Sequence, residues 1–147
     1  MSINPYPEIC NICGGKVIYT SNARVYHGKV YGSGKCYLCL DCGAYVGTHK
    51  PHMRQALGLL ADESMRKAKI KCHDIFDSKW KGKEFARNKR EAMYYWLAKQ
   101  LDISVSDCHF GYFDMATLNR AYPILLKIKD KELDIDHKGR IVTELDA

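Results

Sequence analysis

The sequence predicts an α+β fold in which an N-terminal zinc ribbon of short antiparallel strands packs on a C-terminal bundle of about three helices. Two C-x-x-C-G segments lie within the first 43 residues, and the stretch between them is rich in β-branched and aromatic residues. From about residue 62 the apolar residues instead recur at helical spacing. We therefore expect a ribbon over 1–48, a connector over 49–61 and a helical domain with an acidic tail over 62–147.

The first element is the pair of cysteine knuckles. Each C-x-x-C-G segment places two thiolates on one tight turn, and the glycine that follows allows the backbone the positive φ that such a turn needs. Two such turns together form a tetrahedral S₄ site, the geometry that Zn²⁺ prefers in structural sites. A redox pair or a disulfide framework is the competing interpretation, and two copies of the motif without a signal peptide argue against both. We predict one structural Zn²⁺, bound by Cys10, Cys13, Cys39 and Cys42.

Other side chains near the knuckles offer alternative ligands. Cys36 and Cys39 also form a C-x-x-C pair, but Cys42 followed by glycine repeats the turn at Cys13. We therefore assign Cys36 as a spare thiol on the incoming strand. His27 and His49 are alternatives that would replace a thiolate, and a hydrogen-bonded or solvent-facing role is the interpretation we prefer for both.

Three strands are predicted in the ribbon, over 16–20, 24–27 and 37–39. The helical part is predicted to contain helices over about 62–80 and 87–101, and a third that begins near Asp114. Asp62 and Asp114 are expected N-caps, and Pro123 is expected to end or kink the third helix. The tail suits a small β-hairpin around residues 137–139. The expected core of the bundle contains Phe76, Trp80, Met93, Trp96 and Leu97.

Composition is that of a globular protein, with 46% hydrophobic and 27% charged residues among 147. No apolar run is long enough to span a membrane, and the N-terminus lacks the pattern of a signal peptide. We expect a cytoplasmic protein, with no membrane partner and with cysteines that are reduced or metal-bound.

Positive charge is concentrated in the middle of the chain. The formal net charge is +6, and residues 64–100 hold eleven Lys and Arg against four Asp and Glu. Within this region the segment 79–90 interleaves basic residues with Trp80 and Phe85, which favours phosphate contacts and base stacking. A solvated connector with aromatic residues in the core is the alternative. The predicted contacts to DNA or RNA are Lys79, Lys81, Lys83, Arg87, Lys89 and Arg90.

The chain also resembles a known family from residue 37 to about residue 122. The segments that carry the resemblance begin at Tyr37, Gly58, His73, Arg90 and Cys108. They read Y-x-C-x-x-C-G-A-Y-V-G-T-H, G-x-L-A-D, H-x-x-F-D with W-K, R-x-A-x-Y-x-W-L-A, and C-H-F-G-Y-F-D. They are similar to the zinc-finger-containing proteins of bacteriophages and prophages. This resemblance implies a zinc ribbon with helices and a phage origin, and it implies no reaction.

The sequence supports a catalytic role less strongly than it supports zinc binding or nucleic-acid binding. His73 and Asp77 are four residues apart on one helix, which fits an oriented base or a structural hydrogen bond. Cys108 and His109 are adjacent, and adjacent side chains rarely face each other, so we expect a buried thiol there. A second metal site built from these two and Cys72 with His73 would need two elements to converge. His49, His52 and His73 suggest an HNH-like nuclease, but the order of strand, turn and histidines in that class is not evident.

We expect a nucleic-acid-binding protein first. A module that binds a host protein, such as an enzyme or a defence factor, is the alternative, and a nuclease is the third hypothesis.

Overall fold

The computed structural model describes residues 3–131, and the chain divides into two compact units, Met1–Arg66 and Lys67–Ala147. Within residues 3–131 three strands and three α-helices follow one another, so the predicted α+β class is confirmed. The boundary between the two units, after Arg66, falls within the first α-helix, Glu63–Asp77. The hairpin predicted in the tail lies outside the described residues.

The N-terminal unit contains a three-stranded antiparallel sheet in the order β1-β2-β3, with β1 at Val17–Ser21, β2 at Lys35–Cys39 and β3 at Tyr45–Gly47. In this register Val17 is paired with Cys39 across β1 and β2. The N-terminal end of β1 therefore lies beside Cys39, the first cysteine of the second knuckle.

The strand predicted over 24–27 is wrong. A 3₁₀ helix spans Asn22–Arg24, and His27 has a positive φ of 55° just before Gly28. The cause is Asn22, which is buried and whose side-chain amide donates to the carbonyl of Tyr31 at 2.7 Å and accepts from its N–H at 3.3 Å. These bonds hold the segment in a compact turn instead of an extended strand.

Residues 49–61, expected as a connector, fold back onto the sheet of the same unit. Tyr45 and Ala61 exchange two backbone hydrogen bonds of 3.2 and 3.0 Å, and Thr48 forms a bridge with Ala56. These contacts bring Leu60 into the core of the ribbon. The core contains Cys10, Val17, Tyr37, Cys39, Ala44, Ala56 and Leu60.

The C-terminal unit is built from α1 at Glu63–Asp77, α2 at Ala86–Leu101 and α3 at Met115–Lys127. Short 3₁₀ helices span Val105–Asp107 and Phe110–Tyr112. Both predicted N-caps are confirmed, because Asp62 accepts from the N–H of Met65 at 2.9 Å and Asp114 from that of Thr117 at 2.8 Å.

One predicted helix end differs from the structure, because α1 ends at Asp77, three residues before its predicted end at residue 80. α3 continues through Pro123 to Lys127, so of the two effects expected of the proline an end to the helix does not occur.

A single core holds the helices of this unit together. Phe76, Met93 and Leu97 are fully enclosed, Trp96 is buried, and Trp80 packs partly buried against them. Over residues 3–131, none of the helices combines the length and the apolar character needed to cross a membrane.

Candidate metal centre and nucleic-acid interface

The two knuckles bring four thiol groups together. The Sγ atoms of Cys10 and Cys42 lie 3.7 Å apart, those of Cys13 and Cys39 lie 3.5 Å apart, and all four lie within 4.8 Å of one another. Four sulfurs at about 2.3 Å from a tetrahedral Zn²⁺ would be separated by about 3.8 Å. The cluster therefore fits one structural Zn²⁺, as predicted.

The backbone of each knuckle takes the same conformation. The N–H of Gly14 donates to the carbonyl of Cys10 at 3.0 Å, and the N–H of Gly43 donates to that of Cys39 at 3.1 Å. Both glycines have a positive φ, 77° and 80°, which a residue with a side chain adopts only under strain. The glycine of the C-x-x-C-G motif is thus required by the turn that aims both thiols at one point.

Backbone N–H groups also stabilise negative charge on the sulfurs. The N–H groups of Cys42 and Asp41 lower the pKa of Cys39 to about 7, despite the opposing effect of burial. The N–H of Ala44 lowers the pKa of Cys42, but burial and the neighbouring thiols outweigh it and raise that pKa to about 12. Since Zn²⁺ binds thiolates, its binding releases protons and weakens as the pH falls.

The alternative ligands lie outside this cluster. Cys36 and Cys39 are three residues apart on β2, and side chains alternate between the two faces of a strand, so their thiols point to opposite faces of the sheet. His27 and His49 are exposed. Among residues 3–131 the four cysteines are the only group of three or more Cys, His, Asp or Glu close enough to hold a metal ion, and the histidines of the nuclease hypothesis do not join such a group.

The predicted basic segment spans the turn between α1 and α2 and the first residues of α2, and its first lysine has a structural role. Lys79 is only 4% exposed, and its ammonium donates to the carbonyl oxygens of Lys129 at 2.9 Å and Lys131 at 2.5 Å. These bonds hold the residues that follow α3 against the turn. A phosphate has no access to this charge, so Lys79 does not belong to an exposed basic surface.

The other five basic residues of the segment do contribute to the surface. Lys81, Arg87 and Arg90 are exposed, while Lys83 and Lys89 are partly exposed. Phe85 lies among them, is 52% exposed, and has a φ of 57° at the start of α2. A bulky residue in the left-handed region is strained, and such residues concentrate at functional sites. We call Lys81, Lys83, Phe85, Arg87, Lys89 and Arg90 the basic surface.

Arg90 also contacts aromatic residues. Its guanidinium carbon lies 5.5 Å from the ring centre of Trp80 and 4.9 Å from that of Tyr94. The carboxylate of Asp77 accepts from the indole N–H of Trp80 at 3.1 Å and bonds Nδ1 of His73 at 2.8 Å. The predicted His73–Asp77 contact therefore forms, and the same carboxylate orients Trp80.

The adjacent Cys108 and His109 face different surroundings. Cys108 is fully buried, and burial raises its pKa to about 11, so it remains a thiol. His109 is exposed, and its ring lies 5.8 Å from that of Tyr94 and 4.9 Å from that of Tyr112. The sequence reasoning missed these two tyrosines. Arg90 and Tyr94 are four residues apart on α2, and residues at this spacing are neighbours on one face of a helix. This spacing was the signal in the sequence that Tyr94 lies beside Arg90 of the basic surface.

Comparison with known proteins agrees with this description of the metal centre. The sequence model of a family described as a zinc-finger-containing domain matches residues 6–128. No curated protein and no solved structure matches the chain. The match covers both knuckles and all three helices. The chain therefore belongs to the family of zinc-finger-containing domains.

Proposed function

We propose that this zinc-binding protein binds nucleic acid through the basic surface of its helical unit. The observation that carries the proposal is Phe85, an exposed aromatic residue with a strained backbone in the middle of a segment of basic residues. Cations pair with phosphates, and an exposed ring offers a face on which a base can stack. The only acidic residue among them is Glu84, so the local charge remains strongly positive.

The zinc has a structural role in this proposal. Four protein thiolates complete a tetrahedral shell and leave no open position for a substrate. Recognition is therefore assigned to side chains of the helical unit and not to the metal. The resemblance to phage and prophage proteins adds that the chain acts in the cytoplasm of a bacterial host, and this remains part of the proposal.

The salt dependence of binding tests the proposal. Fluorescence anisotropy with a labelled oligonucleotide, repeated over a range of salt concentrations, gives the slope of log affinity against log salt. For a duplex this slope is about 0.9 per phosphate neutralised, so the five cations of the basic surface set an upper bound of about 4.5. Changing Lys81, Lys83 and Arg87 together to Gln should lower it by about two to three units.

Lys99→Gln is the matched control. Lys99 is an exposed cation in the last turn of α2, twelve residues after Arg87 and so roughly 18 Å along the helix. We expect its replacement to leave the slope unchanged. A folded triple variant that binds like the parent would contradict the proposal, as would a parent that binds no nucleic acid at low salt.

A protein partner is the second candidate, because apolar side chains are exposed around the metal centre. Ile12 and Leu40 each stand between the two cysteines of a knuckle, and Ile9, 70% exposed, pairs with Lys16 beside Leu40. Exposed apolar residues grouped in this way are typical of protein-binding surfaces. A host protein would then bind the ribbon. Ile12→Ser with Leu40→Ser should in that case leave nucleic-acid binding and zinc content unchanged, and loss of nucleic-acid binding would argue against this candidate.

A further inference from the structure

We infer that the nucleic acid bound at the basic surface is single-stranded, with its bases stacked on Phe85 and on a neighbouring set of aromatic rings. This inference rests on the proposed function and names its ligand class. The rings belong to Trp80, Tyr94, His109 and Tyr112, which we call the aromatic surface. Two of them lie on or beside the helices that carry the basic surface, and the other two lie at the 3₁₀ helix Phe110–Tyr112.

Three rings of the aromatic surface, those of Tyr94, His109 and Tyr112, contact one another in series, and Arg90 lies between Tyr94 and Trp80. Tyr94 contacts His109 at 5.8 Å between ring centres, and His109 contacts Tyr112 at 4.9 Å with the rings inclined by 71°. On its inner side Tyr94 packs against the buried Phe76 at 4.6 Å. The inner contact fixes the position of Tyr94, and His109 remains exposed to solvent. An exposed ring on a rigid support, as His109 is beside Tyr94, is the feature that single-strand-binding proteins use to stack bases.

Arg90 connects the two surfaces. Its guanidinium lies against the rings of both Trp80 and Tyr94, and its Nη2 is 3.5 Å from the hydroxyl of Tyr94. Its Nη2 is directed at Tyr94, and its other N–H donors suit a phosphate. Arg90 can therefore hold the backbone of a strand whose base lies on His109, the exposed ring next to Tyr94.

The acidic group in this region does not oppose that arrangement. Asp77 is bonded through one oxygen to the indole of Trp80 and through the other to His73. Its carboxylate thereby orients Trp80 beside Arg90. Asp77 is a positioning residue here.

Stacking distinguishes single strands from duplexes. In a duplex each base is already covered by its neighbours, and only the edges of the bases and the phosphates are accessible. Exposed ring faces such as those of Phe85 and His109 gain contact only from unpaired bases. Five cations without such rings would suit a duplex and a single strand alike. The exposed rings are therefore the feature that favours a single strand.

The test compares anisotropy titrations of a labelled twelve-residue oligothymidine, the corresponding oligouridine and a twelve-base-pair duplex at one salt concentration. We expect at least one of the single strands to bind about tenfold more tightly than the duplex. Phe85→Ala and His109→Ala should each weaken single-strand binding about tenfold, because each removes one stacking ring. The salt slope should stay unchanged, since neither variant removes a cation.

Two further variants sharpen the result. Arg90→Lys keeps the charge and loses the flat group that stacks on Trp80 and Tyr94, so it should weaken single-strand binding with the same salt slope. Tyr95→Ala is the matched control, because Tyr95 is 57% exposed on the same helix but outside the aromatic surface. The Tyr95→Ala variant should bind single strands as tightly as the parent does. For every variant, the midpoint of thermal unfolding shows whether the protein is folded.

The outcomes separate the two proposals. Equal or tighter duplex binding overturns this inference, as does full single-strand affinity in both Phe85→Ala and His109→Ala. If the slope of log affinity against log salt still falls when Lys81, Lys83 and Arg87 are changed to Gln, the proposed nucleic-acid binding stands and only the preference for single strands is lost. A parent that binds none of the three probes at low salt overturns both.

Discussion

The assignment of zinc ligands makes a sharp prediction, because β2 carries two cysteines with equal burial and opposite roles. Cys36 and Cys39 are each 1% exposed, but only Cys39 lies in the four-thiol cluster. We expect Cys39→Ser to lose the metal and Cys36→Ser to keep it. The two variants make the same chemical change on the same strand, so any difference between them reports the metal.

The expected magnitudes differ widely. Binding of a structural Zn²⁺ supplies on the order of 10 kcal/mol of folding free energy in small finger peptides. Whole domains are stable by only about 5–15 kcal/mol, so Cys39→Ser should unfold the N-terminal unit. Cys36→Ser places a hydroxyl at a buried position. It should lower the free energy of unfolding by about 1–3 kcal/mol, the range for a polar group buried without a hydrogen-bond partner.

The measurement is the zinc content per chain by mass spectrometry of the metal, together with the far-ultraviolet circular dichroism of each purified variant. We expect one zinc per chain for the parent and for Cys36→Ser. Full zinc in Cys39→Ser, or none in a folded Cys36→Ser, would refute the ligand assignment.

Three other predictions concern the helical unit. Trp96→Ala should lower the free energy of unfolding by about 3–5 kcal/mol, measured by chemical denaturation, because the ring is buried in the core. Asp114→Ala should cost about 1 kcal/mol at neutral pH through loss of the α3 cap. The N–H of Thr117 lowers the pKa of Asp114, so this difference should shrink as the pH falls below the unfolded pKa of about 3.9 and through the lower folded value. Cys72 and Cys108 are buried free thiols, and mass spectrometry of protein prepared without reductant should show no loss of two hydrogens.

The metal centre was predictable from sequence because its information is local. A C-x-x-C-G segment specifies its turn through the glycine, and the repeat of that segment identifies which cysteines belong together. The N-caps Asp62 and Asp114 were predictable for the same reason, since a capping side chain binds an N–H three residues away.

The wrong strand arose where contacts between distant residues determine the structure. Residues 24–27 have the composition of a strand, but Asn22 bonds the backbone of Tyr31, nine residues later, and curls the segment. Here long-range hydrogen bonds outweigh intrinsic propensity. The pairing of Tyr45 with Ala61 is likewise a long-range contact that no local pattern indicates.

Lys79 and Arg90 show why a charge count along a sequence does not describe a surface. Both belong to one basic segment, eleven residues apart. The ammonium of Lys79 is enclosed because the backbone carbonyls after α3, fifty residues further along, supply the acceptors that a buried cation requires. Arg90 lies against the rings of Trp80 and Tyr94 and remains exposed, so its charge needs no enclosed acceptor. Which cations of a basic segment are exposed is therefore set by acceptors that the fold supplies from distant residues, and a charge count does not include them.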